Sequence, residues 1–138
     1  MTPARKTFEL LTSSSVCKIY TLLHSRGLVS FPLTQDAEAK ADAIVANINN
    51  SYFGVEAYPS PEEKAVAYLY FLINDHLFTD GNKRTATLCF LTLCDINELK
   101  PRFEGFTLDQ VAVTLEQAQG DHQEIIKATV KLLFPEGL

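Results

Sequence analysis

The sequence predicts an all-α fold, a single-domain helical bundle over residues 1–138 with one short β-hairpin or extended flap. Apolar residues recur three or four positions apart through most of the chain, which is the spacing of a buried helix face. Capping residues and glycines divide this pattern into segments of ordinary helix length. One segment departs from it, because it is short and combines turn-forming residues with aromatic ones.

The first two helices follow directly from this spacing. A first helix is predicted over residues 8–24, and Gly27 ends it. Three consecutive serines at 13–15 interrupt the apolar pattern, so this segment is either one helix or two. A second helix is predicted over residues 36–50, where alanine, isoleucine and valine recur at helical spacing.

The next segment, residues 49–59, predicts a small hairpin or extended flap at the surface. A third helix begins after it, because Ser60 is a good cap, Pro61 suits the first helical position and Glu63 would complete a capping box. This helix is apolar on every side, which predicts a central, buried position. It brings His76 to its C-terminal end.

Three more helices are predicted in the second half of the chain. One is apolar and spans residues 82–96. Another spans residues 108–119, where Thr107 and Gln110 form a capping box. Asp121 caps a last helix that runs almost to the end of the chain.

Composition excludes some functions. The net charge of −5 argues against general nucleic-acid binding, which needs many clustered lysines and arginines. No stretch of about 18 apolar residues is present, so we expect no membrane span. The N-terminal residues 1–8 lack the apolar segment of a secretion signal, which favours a cytoplasmic location.

Cysteine usage fits a reducing compartment. Cys17, Cys89 and Cys94 are an odd number and have no metal-binding or CxxC spacing. We expect all three to be small core residues.

The chemistry of the chain is concentrated in residues 76–84, His-Leu-Phe-Thr-Asp-Gly-Asn-Lys-Arg, which join the two most apolar helices. A helix N-terminus presents unpaired backbone N–H groups and a positive dipole end, so a Gly-Asn turn at this point is suited to bind an anion. Phosphate is the expected ligand. His76 is the histidine beside this anion site. Histidine side chains ordinarily have a pKa near neutrality, which suits a general base that activates a hydroxyl.

The pattern His-x-Phe-x-Asp-Gly-Asn-Lys-Arg that begins at His76 resembles the signature of the Fic/Doc (Fido) family. The segment that begins at Tyr58 also resembles the flap and helix entry of many bacterial members, so the close similarity covers about residues 50–100. The resemblance implies a helical fold and an enzyme that moves a phosphate-containing group from a nucleotide to a hydroxyl side chain of a target protein. ATP would be the co-substrate, acting with Mg²⁺.

The resemblance and the residue types together give each motif position a role. Asp80 would hold Mg²⁺, which favours carboxylate and phosphate oxygens. Asn82 and Arg84 would hold phosphate oxygens, and Arg84 can do so with two parallel hydrogen bonds. Gly81 would let the backbone approach the phosphate closely, because it has no Cβ. Phe78 belongs to the same phosphate-binding loop as an anchor that buries its ring.

Lys83 is the informative departure from the AMP-transferring members of the family, which usually have Gly at this position and a second Arg where this chain has Thr87. Lys83 and Arg84 instead resemble the Doc branch, in which a toxin controlled by an antitoxin phosphorylates the translation factor EF-Tu. Phosphoryl transfer and AMP transfer both stay open, because Gly81 stands where Doc has Ala. Lys83 is also compatible with a solvated surface charge.

Target docking is assigned to the flap residues Tyr52, Phe53, Gly54 and Val55, beside which an extended target segment would pair through main-chain hydrogen bonds. Two further readings of the whole chain stay open. One is a catalytically inactive Fic-fold module that binds nucleotide or protein, and the other is a structural subunit of a larger complex. His24 and His122 are expected to be surface or cap residues. Asp75 is expected at a helix end, either as a plain surface carboxylate or as a group that orients His76.

Overall fold

The computed structural model describes residues 7–135. The prediction that no secretion signal is present rests largely on residues 1–6, which lie outside the described residues. Six helices and one hairpin lie within residues 7–135, in the order α1 Ser13–Ser25, α2 Ala37–Asn49, β1 Ser51–Tyr52, β2 Val55–Glu56, α3 Pro61–Asn74, α4 Asn82–Ile96, α5 Leu108–Gln117 and α6 His122–Leu133. The predicted all-α class with a short hairpin is confirmed. No helix in this part of the chain is long and apolar enough to cross a membrane.

Helix α1 begins later than the apolar spacing predicts. Residues 8–12 are not helical, and the serines at 13–15 form the first turn of one continuous helix. Thr12 is the N-cap, and its hydroxyl accepts a hydrogen bond from the Ser15 backbone N–H at 3.1 Å. Short hydroxyl side chains favour helix starts because they satisfy donors that have no partner inside the helix. The predicted start at residue 8 was therefore wrong.

The predicted helix starts further along the chain are closer to the structure. Ser60 caps α3 by accepting from the Glu63 N–H at 3.0 Å, but its hydroxyl also donates to the Glu63 carboxylate at 3.2 Å. Glu63 therefore does not reach back to the Ser60 backbone, and the predicted capping box is only half formed. The box formed by Thr107 and Gln110 at the start of α5 is complete.

Helix α3 is the centre of the bundle, as its sequence predicts. It contacts α2, α4, α5 and α6. Residues 65–69 in its middle are fully buried. Burial of this much apolar surface is the largest stabilising term available to a chain of this size. Because α3 is covered on all sides, the loop that follows it starts from a fixed point.

The hairpin is tied to the N-terminal end of α3. Ser51 pairs with Glu56 across the hairpin, and the turn residues Phe53 and Gly54 have φ values of 54° and 76°. Two positive φ angles are typical of the type I′ turn, whose twist matches that of paired strands. The buried Lys64 ammonium donates to the Glu56 carboxylate at 3.0 Å and to the Tyr58 carbonyl.

The three cysteines are buried and unpaired, which confirms their prediction as core residues. Burial raises the pKa of Cys89 and of Cys94 to about 12. It also raises the pKa of Cys17, and the nearby carboxylates of Glu38 and Asp42 raise it further. The thiolate form is therefore disfavoured at all three positions.

Tyr68 carries the polar interaction at the middle of the core. Its side chain is fully buried, its hydroxyl donates to the Leu11 carbonyl at 2.7 Å, and it accepts from the Asn49 amide at 3.0 Å. Desolvation raises the pKa of Tyr68 to about 12, although both hydrogen bonds oppose this shift. One hydroxyl thus connects α3, α2 and the segment before α1.

Replacing Tyr68 with Phe should lower the free energy of unfolding by about 1–3 kcal/mol, because it leaves the buried Leu11 carbonyl without its donor and removes one of the two acceptors of the half-buried Asn49 amide. Tyr52→Phe is the matched control, since its hydroxyl makes an exposed hydrogen bond to Asn47 at 3.3 Å. The control should change the free energy by less than about 0.5 kcal/mol. Urea unfolding measures both values. Equal effects of the two substitutions would contradict this account of the core.

Candidate active site

A cleft of about 350 Å³ opens at the N-terminus of α4. Eight residues line it: Leu28, Thr79, Asp80, Gly81, Asn82, Lys83, Arg84 and Glu116. The structure therefore brings together the predicted metal ligand and four of the predicted phosphate-binding residues. Sequence reasoning did not identify Leu28 and Glu116, because they lie far from the motif along the chain and their neighbours form no recognisable pattern.

His76 does not line this cleft. It is exposed at the start of the same loop, directly after the Asp75 cap of α3. Its φ is 48°, a left-handed conformation that glycine usually occupies after a helix end. A side chain at such a position costs about 1–2 kcal/mol relative to the ordinary right-handed conformation. Phe53 and Glu98 share the left-handed conformation, so it does not by itself assign a function to His76, whose role as a base stays a prediction.

Phe78 anchors the middle of the loop, as predicted. Its ring is 6% exposed and stacks on Tyr20, with ring centroids 4.0 Å apart and an angle of 17° between the planes. The stack joins the loop to α1. The loop thus has a fixed point in the core two residues before Asp80.

Asn82 fixes the same loop through its backbone. The Phe78 N–H donates to Asn82 Oδ1 at 3.0 Å, and Asn82 Nδ2 donates to the Phe78 carbonyl at 2.8 Å. An amide group has two N–H donors, so one donor of Asn82 is left for a further partner. Contact with a phosphate oxygen stays a prediction for this residue. Shaping the loop is a second role that the sequence did not reveal.

Gly81 is required by its neighbours as well as by its backbone. It is the N-cap of α4 with φ 80°, and a Cβ added there would lie 2.2 Å from Val29 Cγ1. Its bare face therefore packs on Val29, next to Tyr20. No side chain caps the first turn of α4. Its free backbone N–H groups are the donors that an anion at this helix end would use.

The first turn of α4 carries charges of the sign that its helix dipole disfavours. Lys83 and Arg84 lie at this positive end, and no acidic residue accompanies them in the turn. Within the described structure each binds an internal acceptor. Lys83 Nζ lies 3.0 and 3.1 Å from the two Glu116 carboxylate oxygens, and Arg84 Nη1 donates to the Leu28 carbonyl at 2.6 Å. An anionic ligand at this helix end would meet Lys83, Arg84 and the free N–H groups. Asp80 and Glu116 line the same cleft and balance these two positive side chains in the free protein.

Asp80 is exposed in the cleft and is available to a cation. Burial raises the pKa of the neighbouring Tyr20, and the charge of Asp80 raises it further. Within residues 7–135 no three His, Cys, Asp or Glu side chains lie close enough together to hold a metal. An ion on Asp80 would then complete its shell with phosphate oxygens and water, which is the way Mg²⁺ usually binds. The binding of Mg²⁺ by Asp80 stays a prediction, and a single carboxylate is within the one or two that this ion commonly takes from a protein.

His122 is exposed, as expected, but it packs on α3. Its ring centroid lies 5.2 Å from that of Tyr70 and 5.6 Å from that of Phe71. It also lies near Asp75, at the end of α3. Desolvation raises the pKa of Asp75, and the nearby imidazoles of His122 and His76 oppose this shift.

The four residues assigned to target docking are all exposed, and none of them lines the cleft. Phe53 is 104% exposed and Val55 is 68% exposed. The hairpin precedes α3 and His76 follows it, and a helix of 14 residues is about 21 Å long. An extended target segment that pairs with the hairpin and reaches His76 would follow the length of α3. Such a segment rises about 3.3 Å per residue, so roughly six residues would cover this distance.

Gly81→Ala should destabilise the protein more than Gly105→Ala, which is a matched control. Gly105 has φ 83°, but a Cβ added there would meet no atom within 4 Å. Both substitutions carry the left-handed backbone cost of about 1–2 kcal/mol, and only Gly81→Ala adds overpacking of about 1–3 kcal/mol. Thermal unfolding of the two variants measures the difference.

The additional substitution Val29→Ala should remove much of the extra cost of Gly81→Ala, since it deletes the atom that the new Cβ meets. Equal stability of the Gly81 and Gly105 variants would show that Val29 adjusts freely. The packing argument would then be wrong.

Comparison with known proteins identifies the family of this chain. Residues 10–94, which are more than half of the chain, match the Fic/DOC family. A 56-residue stretch is 45% identical to "Toxin Doc" of Mycolicibacterium smegmatis, and it covers 41% of this chain and 43% of that protein. The match thus spans less than half of that relative, and no solved structure matches the chain. Because the family match covers more than half of the chain, the chain belongs to the Fic/DOC family, and its similarity to Toxin Doc places it near the Doc branch.

Proposed function

We propose that this protein is a Fic/Doc-type transferase that moves a phosphate-containing group from ATP to a hydroxyl side chain of a target protein. The observation that carries this proposal is the cleft at the uncapped N-terminus of α4, where Lys83 and Arg84 reinforce the positive helix end. The strained His76 at the start of the same loop supplies a candidate base. Membership of the Fic/DOC family supports the same reaction class.

The proposed step needs a proton acceptor and charge stabilisation. His76 accepts the proton of the target hydroxyl as its oxygen forms a bond to phosphorus, and the remainder of the nucleotide leaves with the electrons of the broken P–O bond. Asp80 would hold Mg²⁺, which would supply positive charge to the phosphate oxygens. The backbone N–H groups of the first turn of α4, with Arg84, bind the phosphate oxygens.

Phosphoryl transfer is the form of the reaction that we favour. Lys83 stands at the motif position where AMP-transferring members usually have Gly. In addition, a 56-residue stretch of this chain is 45% identical to a protein named Toxin Doc. On this proposal the γ-phosphate moves and ADP leaves. EF-Tu is then the proposed target and an antitoxin the proposed partner.

A second candidate function is a catalytically inactive module that binds nucleotide or protein. Thr87 occupies the position of the second Arg, and its hydroxyl donates to the Arg84 carbonyl at 3.0 Å. Lys83 and Arg84 are both held by acceptors of the protein itself. This arrangement gives fewer positive groups for a transferring phosphate than the AMP-transferring members have.

Labelled ATP separates these functions. The purified protein is incubated with a bacterial extract, Mg²⁺ and ATP labelled at the α or the γ phosphorus. We expect γ label on protein, which identifies phosphoryl transfer. Label from the α position would identify AMP transfer, and absence of both labels would favour the binding module.

His76→Gly is the sharpest variant for this assay. Glycine suits φ 48°, so the variant should keep or raise the melting temperature while transfer falls at least a hundredfold. His24→Gln is the control, because His24 lies outside the motif, and it should keep full transfer. Transfer that persists in His76→Gly would contradict the assignment of the base.

The docking role of the hairpin has its own test. Val55→Pro should break the backbone pairing between β1 and β2 and abolish transfer to protein, while nucleotide binding is retained. Phe53→Gly keeps the turn conformation and should retain transfer, because recognition through the main chain does not need the ring. Normal transfer by Val55→Pro would assign the hairpin another role.

A further inference from the structure

Glu116 is a member of the cleft that the family motif does not contain. It lies in the last turn of α5 and binds Lys83 through both carboxylate oxygens, at 3.0 and 3.1 Å. The sequence separation between the two residues is 33 positions. This contact connects the motif to a helix that follows it in the chain.

The charges of this pair are each unfavourable in their own helix. Lys83 lies in the first turn of α4, at a positive dipole end that has no acidic residue. Glu116 lies in the last turn of α5, at a negative dipole end that has no basic residue. Each side chain therefore finds in the other the opposite charge that its own helix end lacks. Both groups stay charged in the pair, so either of them can also interact with a ligand in the cleft.

The cleft of the free protein has balanced charges. Asp80 and Glu116 oppose Lys83 and Arg84 among its lining residues. When a magnesium nucleotide enters, Asp80 can share the metal ion, whereas Glu116 stays as an anion beside the incoming phosphates. Lys83 and Glu116 side chains are 44% and 43% exposed, so both can move into solvent without disturbing the core.

We propose that Glu116 holds Lys83 across the cleft in the nucleotide-free protein and competes with phosphate for its ammonium group. This inference rests on the proposed function, because it takes the cleft to be the phosphate site. Glu116 is a positioning residue on this view, and it acts on the ligand through Lys83. Nucleotide binding then requires Lys83 to exchange a carboxylate for a phosphate.

A double-mutant cycle on ligand binding tests the exchange. Inorganic tripolyphosphate is the first probe and magnesium ATP the second, and their dissociation constants are measured by calorimetry at constant ionic strength. Glu116→Gln should tighten tripolyphosphate binding about two- to fivefold, which is the range of an exposed ion pair. Lys83→Gln should weaken it. In the Lys83→Gln background, Glu116→Gln should have little further effect.

Two controls separate the pairing from simple charge. Glu124→Gln removes an exposed carboxylate from the first turn of α6, away from the cleft, and should leave the dissociation constants unchanged. Glu116→Asp keeps the charge but shortens the side chain, so it should loosen the contact with Lys83 and give an intermediate affinity. Circular dichroism and melting temperature confirm that each variant is folded.

The proposal is overturned if Glu116→Gln leaves binding unchanged or weakens it. It is also overturned if the gain is the same with and without Lys83, because Glu116 would then act only through its charge, or if the wild-type protein does not bind tripolyphosphate. If no label is transferred from ATP but the double-mutant cycle gives the expected dissociation constants, the proposed transferase activity is wrong and this inference is retained. The two outcomes are therefore distinguishable.

Discussion

The site depends on how the loop between α3 and α4 is held. Phe78 stacks on Tyr20 of α1, and the Asn82 side chain binds both backbone groups of Phe78. Gly81 closes the loop against Val29. These contacts leave Asp80 exposed between two anchored residues. A catalytic group on a loop needs this kind of support, since small displacements of reacting atoms reduce rates strongly.

Much of the fold could be predicted because local signals agreed with one another. The start of α4 directly after Gly81, the central position of α3 and the capping box of α5 all follow from residues close in sequence. The start of α1 could not be predicted from apolar spacing, because that spacing continues upstream of the hydroxyl cap at Thr12. Propensity at a helix end decided the structure there.

The candidate site was predicted in its motif but not in its surroundings. Asp80 and Arg84 were found because they lie in one short pattern. Glu116, Leu28 and Val29 reach the same place from other helices or loops, and such contacts depend on packing that no local pattern records. The two bonds from Asn82 to Phe78 were missed for a different reason, because an amide can serve a ligand or the backbone equally well.

Burial of all the cysteines has a practical consequence. Cys17, Cys89 and Cys94 are at most 5% exposed, and their thiolates are disfavoured, so the folded protein should resist alkylating reagents and disulfide exchange. A single cysteine introduced at the surface should then be the thiol that labelling reagents modify in the folded protein. A cysteine at Phe53, whose side chain is fully exposed, would accept a fluorophore or spin probe selectively and would report on whatever approaches the tip of the hairpin.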